Sequence, residues 1–415
     1  MLAHVIFILK ILILIPVPLT LWQGIVGLCG LKRPAAVPKT DKKLSFAVVI
    51  CARNEQAVIG KLIDSLKAQN YPQDKISVFV TADNCSDDTA NTARLRGAHV
   101  YERFNTLQVG KGYALRWTLQ QMKKEGVEYD ALCVFDADNI AGADFISNTN
   151  DAIIAGADVT QGYRDTKNPY DSYMSSSYCI YWLFLMRFYH LARYNLSLPC
   201  MIGGTGWACR YELVKDGWDT KTLTEDVEFS VKQIFAGKNI VPVKKAVFYD
   251  EQPDDFKTSV RQRTRWVIGN LQVAREMLPK ASDRGLLKTR RQKIAHFDSV
   301  TYLILNYCMP IMAILGAAYT LLSDFVTYDS WKITFIEVGI MTAVSFAAVA
   351  FLGALVLIIE KKNAAKLWKG ILYYPVFLLT MQILAVYALF RKDIEWKPIA
   401  HGCKEERIAA VSKAA

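Results

Sequence analysis

The sequence has no Cys-x-x-Cys spacing, and its nine cysteines are an odd number scattered along 415 residues. No complete disulfide framework follows from such a set, so reduced cytosolic or membrane-buried thiols are expected. There are no internal repeats and no low-complexity tract, which excludes a repeat array and a compositionally biased arm. Charged residues are sparse, 21% against 52% hydrophobic, and the mean hydropathy of +0.14 is high for a wholly soluble protein. The length suits two or three folding units. Because the apolar excess sits in a few blocks, the chain reads as a membrane protein with a large aqueous domain. No nucleic-acid-binding module accompanies the formal charge of +11, so nucleic acid is not an expected partner. The basic residues cluster beside the apolar blocks instead. Lys32, Arg33, Lys39, Lys42 and Lys43 follow the first, and Lys280, Arg284, Lys288, Arg290, Arg291 and Lys293 precede the second. Such flanks favour the cytoplasmic leaflet and anionic lipid.

Residues 5–30 are apolar apart from Lys10 and a few uncharged polar residues. The run exceeds the roughly 20 residues that cross a bilayer. It lacks a basic n-region and a small-x-small cleavage site, and is expected to span rather than be removed. Its basic flank places the N-terminus outside and the next domain in the cytoplasm. The expected organisation is an N-terminal transmembrane helix at 1–31, an aqueous domain at 44–280, a basic juxtamembrane segment at 281–296, membrane or interfacial helices at 297–390 and a tail at 391–415. Within the fourth part the apolar segments are 300–322, 333–359 and 367–390. The link at 323–332 is slightly acidic and is expected outside, whereas 360–369 carries four lysines against one glutamate and is expected inside. That count leaves Arg391, Lys392 and Lys397 outside, against the same rule. A re-entrant or interfacial segment would resolve it, with Pro310 and Pro375 as breaks, and the side of the tail stays open.

From residue 45 onward, short apolar runs alternate with amphipathic stretches. Residues 46–51, 76–81 and 132–135 read as strands, and 56–69, 87–96, 111–124 and 144–155 as helices. This alternation predicts an α/β domain with a largely parallel sheet whose ligands collect at the carboxyl ends of strands. Polar clusters stand at those ends: residues 51–55 after the first strand, 83–89 after the second, and Asp136 with Asp138 after a later one. Each alone reads equally as a turn and helix cap. Two carboxylates one residue apart at the end of a buried strand can hold one hard divalent cation, whose other positions go to phosphates and water.

Residues 178–196, YCIYWLFLMRFYHLARYNL, are aromatic-rich, with Arg187, His190 and Arg193 at helical intervals. The composition suits an amphipathic helix lying in the membrane interface, a core helix being the alternative. His190 reads as a hydrogen-bonded or interfacial side chain rather than a metal ligand. The glycine-rich stretch 199–210 lets backbone approach a substrate, and Trp207 can offer a flat face to a sugar ring or simply fill a turn.

In order, ARNE (52–55), ADNCSDDT (82–89), GKGYAL (110–115), DADN (136–139), TED (224–226) and QRTRW (262–266) resemble the family 2 inverting nucleotide-sugar glycosyltransferases, over residues 45–278. That family includes cellulose, hyaluronan and poly-N-acetylglucosamine synthases and ceramide glucosyltransferases. The resemblance implies a GT-A fold, a Rossmann-like mixed sheet, joined to transmembrane helices. It also implies a donor site in which Cys51, Asn54 and Glu55 line the nucleoside pocket, Asp83 holds the uracil or ribose and Lys111 faces the nucleotide. Asp136 and Asp138 correspond to the ligands of Mg2+ or Mn2+, and Asp226 to the general base. Gln262 and Arg265 would receive the leaving diphosphate. Gly203, Gly204, Thr205, Trp207, Glu225 and Trp266 would form the acceptor side. The function expected is metal-dependent transfer from a UDP-sugar to a growing, membrane-associated β-linked polysaccharide in the plasma membrane. Transfer of a single sugar to a lipid is the alternative. Four spans make a narrow channel, so a second copy of the chain or an accessory membrane subunit is expected beside membrane lipid as a partner.

Overall fold

The computed structural model describes residues 2–282, 287–328 and 331–391. The expectations about the tail fall outside the described residues.

Among the described residues eight strands form one mixed sheet: β1 (Phe46–Ala52), β2 (Ile76–Asp83), β3 (His99–Arg103), β4 (Ala131–Asp136), β5 (Ile140–Ala141), β6 (Val159–Thr166), β7 (Trp207–Arg210) and β8 (Ile240–Asp250), in the order β3-β2-β1-β4-β7-β6-β8-β5. β3, β2, β1 and β4 run parallel. β7 enters antiparallel between β4 and β6, and β6 pairs parallel with β8. The apolar run of β1 is continuous because both its faces are covered. Phe46, Val48 and Ile50 enter one core cluster, and Ala47 and Val49 the other.

Register places the chemistry. Cys51 on β1 lies opposite both Thr81 and Asp136, and Asp83 on β2 lies opposite Arg103. The strand-end motifs therefore meet along one edge of the sheet. The chain leaves β1 toward β2 on one side, and β4 flanks it on the other, so a crevice opens at this edge, where parallel sheets bind ligands.

The 178–196 stretch is helical and packs between the sheet domain and the apolar helices. A helix at Tyr173–Leu185, started by a Ser172/Ser175 capping box, continues through a π turn at Met186–Leu191 into Ala192–Asn195. Tyr178, Cys179, Ile180, Leu183, Met186 and Leu191 share a core cluster with Tyr163 of β6 and with Val356, Leu367, Tyr374 and Phe377 of the C-terminal helices. The basic residues that made the run look amphipathic point inward to distant carboxylates: Arg187 donates to Glu360 at 2.6 Å and Arg193 to Asp298 at 2.8 Å. Lys244 and Tyr163 also reach Glu360, at 3.0 and 3.1 Å, and Trp22 donates to Asp298 at 2.8 Å. These two buried carboxylates bind the sheet domain to the apolar helices.

Among the described residues, four stretches are long and apolar enough to cross a membrane: Leu2–Leu31, Arg290–Thr327, Thr334–Ile359 and Trp368–Leu389. The first is interrupted at Ile15-Pro16 between helices Leu2–Leu14 and Val17–Leu28. Pro310 and Pro375 lie inside continuous helices, so neither marks the break that a re-entrant segment needs. No disulfide joins the described cysteines.

Candidate active site

A cavity of about 490 Å³ opens at the strand-end edge. Its first wall follows β1 and β2. Cys51, Arg53, Glu55 and Asp83 line it. Asp83 is buried and paired with buried Arg103 at 2.5 Å. Burial pushes the Asp83 carboxyl above its ordinary range, and the Arg103 hydrogen bond and charge oppose the rise. Asn54, expected to touch the donor, instead joins the two strand-end loops. Its left-handed backbone (φ 57°) aims Oδ1 at the Ser86 amide, 2.8 Å away, and it is not among the lining residues.

Lys111 opens the helix Lys111–Lys124 and reaches across the crevice. Its ammonium donates to Asp136 and, at 2.8 Å, to the Gly204 carbonyl. Burial alone would raise the Asp136 carboxyl, but the charge and hydrogen bond of Lys111 outweigh it and hold the group below its usual range. Asp138 also lines the cavity, and the chain around it is fixed: Lys167 donates to its carbonyl at 2.8 Å and pairs with Glu251 at 3.3 Å. Asn139 donates to Asp250 at 2.8 Å. The described residues contain no cluster of three or more acidic, histidine or cysteine ligands. Two carboxylates without a third protein ligand fit a magnesium- or manganese-type ion that keeps most of its positions for phosphate and water. The donor set therefore fits such an ion, and Lys111 offsets the Asp136 charge without it.

The opposite wall is the start of the helix Glu225–Phe235. Gly204, at φ +80°, lies so close that a Cβ there would stand 3.4 Å from Asp226 Oδ2. Burial first, and then the Asp226 charge, push the Glu225 carboxyl up to about 7. Asp226 is also raised, chiefly by burial. Thr224 does not cap this helix; its hydroxyl is buried without a partner among the described residues. It packs against Gly269 on the helix Phe256–Met277: a Cβ there would meet the Thr224 side chain and amide at 2.6 to 2.8 Å. This approach brings Gln262, Arg265 and Trp266 of the second helix to the same cavity as Glu225 and Asp226. Trp266 packs with Tyr181 and Trp182, at ring separations of 6.4 and 5.5 Å, as an aromatic wall.

Of the expected site residues, Cys51, Glu55, Asp83, Lys111, Asp136, Asp138, Gly203, Gly204, Glu225, Asp226, Gln262, Arg265 and Trp266 line this one cavity. Two acceptor-side residues do not. Trp207 is 2% exposed and stacks on Trp218 at 5.5 Å, so its faces are spent on the core. Thr205 is internal: its hydroxyl accepts from the Asp136 amide at 2.8 Å and donates to Asn139, shaping the 136–139 loop from behind.

Arg164 was not anticipated. It lines the cavity from β6, pairs with Asp250 at 3.1 Å, donates to the Gly203 carbonyl and lies 3.8 Å over the Trp182 ring. No local pattern marks it, because its partners come from β8, the 199–206 loop and the helix Tyr173–Leu185. Gly269 was missed as well, since a helical glycine is legible as a close approach only once its neighbour is known.

Comparison with known proteins agrees with this geometry. Residues 43–269 match the family described as glycosyltransferase like family 2. A probable glycosyltransferase of Bacillus subtilis (strain 168), YdaM, is 24% identical, the match covering 84% of this chain and 85% of that protein. A beta-monoglucosyldiacylglycerol synthase of Trichormus variabilis is 23% identical over 65% of this chain and 57% of its own length. The mannosyltransferase PcManGT from Pyrobaculum calidifontis, solved in complex with GDP-Man and Mn2+, superposes with a TM-score of 0.58. It is 16% identical, and the match covers 93% of this chain and 99% of that one.

Proposed function

Because this chain belongs to glycosyltransferase-like family 2 and has the GT-A fold of a nucleotide-sugar transferase, we propose that it moves a sugar from a UDP-sugar to a hydroxyl of a membrane-held lipid acceptor, with inversion. One observation carries the acceptor part. The cavity that holds the strand-end motifs is also lined by Tyr302 and Met381, from two of the helices long enough to cross a membrane. The beta-monoglucosyldiacylglycerol synthase relative is compatible with that acceptor class. The basic flanks, Lys32 and Arg33 on one side and Arg290 and Arg291 on the other, favour a cytoplasmic position for the domain.

In this mechanism Asp83 and residues 51–55 hold the nucleoside. Asp136 and Asp138 would hold Mg2+ or Mn2+, which when bound offsets the charge of the diphosphate. Asp226, partly buried and raised in basicity, takes the proton of the acceptor hydroxyl as its oxygen bonds to the anomeric carbon. The bond from that carbon to the diphosphate oxygen breaks in the same displacement, and Arg265 and Gln262 stabilise the departing UDP. Arg164, fixed by Asp250 and Trp182, keeps the 203–204 backbone in place beside the base. No covalent enzyme intermediate is needed.

A second reading, extension of a β-linked polysaccharide, is favoured by the Tyr181, Trp182 and Trp266 wall, since aromatic faces suit sugar rings. Product size separates the two. The test is UDP release in lipid nanodiscs over a panel of UDP-sugars with magnesium or manganese, with products sized and Asp226→Asn in parallel. The variant is expected to lose about 10²- to 10⁴-fold in transfer while still binding UDP. Undiminished transfer by Asp226→Asn would overturn the mechanism, and a long glycan product would replace the lipid acceptor with the polymer.

A further inference from the structure

Asp250 ends β8 at the edge of the cavity. Its side chain is buried, and three donors converge on it. Asn139 Nδ2 reaches one oxygen at 2.8 Å, and Gln252 Nε2 and Arg164 Nη1 reach the other at 2.7 and 3.1 Å. Burial raises this carboxyl above its usual range, and the Arg164 charge opposes the rise. Donors on both oxygens favour the ionised form.

The chain of hydrogen bonds continues on both sides of Asp250. On one side, Asn139 Nδ2 also donates to Asp138 Oδ1 at 3.2 Å, and the Asn139 carbonyl accepts from the Thr205 hydroxyl. That hydroxyl accepts in turn from the Asp136 amide at 2.8 Å. On the other side, Gln252 Oε1 accepts from the Trp182 indole at 3.0 Å. Each of the two amides fits only one way round. Reversed, the Asn139 carbonyl would face the Asp138 and Asp250 carboxylates, and the Gln252 amino group would face an indole N–H that cannot accept. The charge on Asp250 therefore sets which end of Asn139 meets Asp138. A neutral amide at position 250 would offer one acceptor and one donor to neighbours that both bring N–H groups.

We propose that Asp250 is a positioning residue for the metal site: through Asn139 and Thr205 it fixes the aim of the Asp138 carboxylate and the backbone of Asp136, without itself ligating the ion. The inference rests on the metal-dependent transfer proposed for this cavity. Hydrogen bonds to a ligating carboxylate fix its orientation, and their loss weakens the metal although no ligand is removed. Gln252 and Trp182 hold the far end of the chain, and Arg164 supplies the countercharge that lets a buried anion stand at its centre.

The test uses the full chain in phosphatidylcholine nanodiscs. Mn2+ affinity is read from the electron paramagnetic resonance signal of the free ion, with protein in excess of UDP, and UDP affinity in EDTA by calorimetry. Wild-type protein is expected to bind both. Asp250→Asn is expected to raise the Kd for Mn2+ by about 10- to 100-fold while changing the Kd for UDP in EDTA by less than about twofold. Gln252→Glu, which sets a second carboxylate against Asp250, is expected to weaken Mn2+ binding as well. In Asp250→Asn/Gln252→Glu the amide at 250 donates to a carboxylate at 252 and still accepts from Asn139, so Mn2+ affinity is expected to return to within about threefold of wild type. Thermal midpoints identify a variant that does not fold, in which case the other single variant and the double variant decide. Asn139→Ala is expected to cost as much as Asp250→Asn, and the two together no more than either. Additive losses would make Asp250 a direct ligand and overturn the positioning role. Unchanged Mn2+ affinity in Asp250→Asn, no recovery in the double variant, or parallel losses of Mn2+ and UDP affinity, as a merely structural role would give, overturn it too. Wild-type protein that binds UDP but not Mn2+ overturns the metal site together with this inference, whereas protein that binds neither overturns the donor function.

Discussion

The contact between Gly269 and Thr224 holds the proposed base, Asp226, to the helix of the proposed leaving-group residues Gln262 and Arg265, and one methyl group tests it. In Gly269→Ala the new Cβ would lie 2.6 Å from Thr224 Cγ2, 2.7 Å from its Oγ1 and 2.8 Å from its backbone nitrogen. Rotating the threonine relieves the first two distances but not the third. Ordinary contact therefore requires the helix Phe256–Met277 and the 224–226 segment to separate by about 0.6 to 0.8 Å. Overpacking of this kind costs about 1–3 kcal/mol. The larger effect is on the site, because misplacing a catalytic group by about 1 Å costs on the order of 10²-fold in rate. A fall of about 10- to 100-fold in kcat at saturating donor is expected, with a lower thermal midpoint. UDP release in nanodiscs and a thermal unfolding curve are the assays. Gly24→Ala is the control, since a Cβ there meets nothing within 4 Å, and it is expected to retain wild-type values. Wild-type turnover and an unchanged midpoint in Gly269→Ala would refute the argument that close helix approach positions the base.

Three further outcomes follow from the electrostatics. Glu225 holds its proton up to about pH 7 in the folded chain against an ordinary value of 4.5, so the folded state binds more protons than the unfolded one between those values. Stability contributed in this way is present below pH 4.5 and is lost as pH rises through about 7. Glu225→Gln should remove that slope, worth about 1–3 kcal/mol in denaturant unfolding followed from pH 4.5 to 7. Arg103→Met leaves the buried Asp83 carboxylate without its 2.5 Å partner. A loss of about 3–5 kcal/mol in denaturant unfolding and at least about tenfold weaker UDP binding by calorimetry are expected. Lys111→Met removes the cation beside the half-exposed Asp136 carboxylate, so the metal-free protein should lose about 1 kcal/mol or less. Manganese should then raise its thermal midpoint more than it raises that of the unmodified chain, and an equal rise in both would contradict the charge-offsetting role of Lys111.

Local sequence alone determined the donor half of the protein. The continuous apolar runs of β1, β2 and β4 mark strands buried on both faces, the helix 111–124 agrees with its periodicity to the residue, and the carboxylates sit at the strand ends because parallel strands expose those ends together. Four stretches with enough apolar length to cross a membrane were equally legible, since that requires only length and composition. Tertiary structure decided the rest. β6, β7 and β8 went unread because the insertion of β7 between β4 and β6 depends on partners far along the chain. Trp207 was expected to offer a face to a sugar, but Trp218 and Phe229 cover it, and nothing near residue 207 reveals that. Arg187 and Arg193 resembled the polar side of a surface helix because a charge pattern gives position but not pairing. Their carboxylate partners, Glu360 and Asp298, lie 173 and 105 residues away and join the helix to the apolar segments. Residue types and spacing revealed which groups could do the chemistry, whereas long-range packing determined which of them reach the cavity.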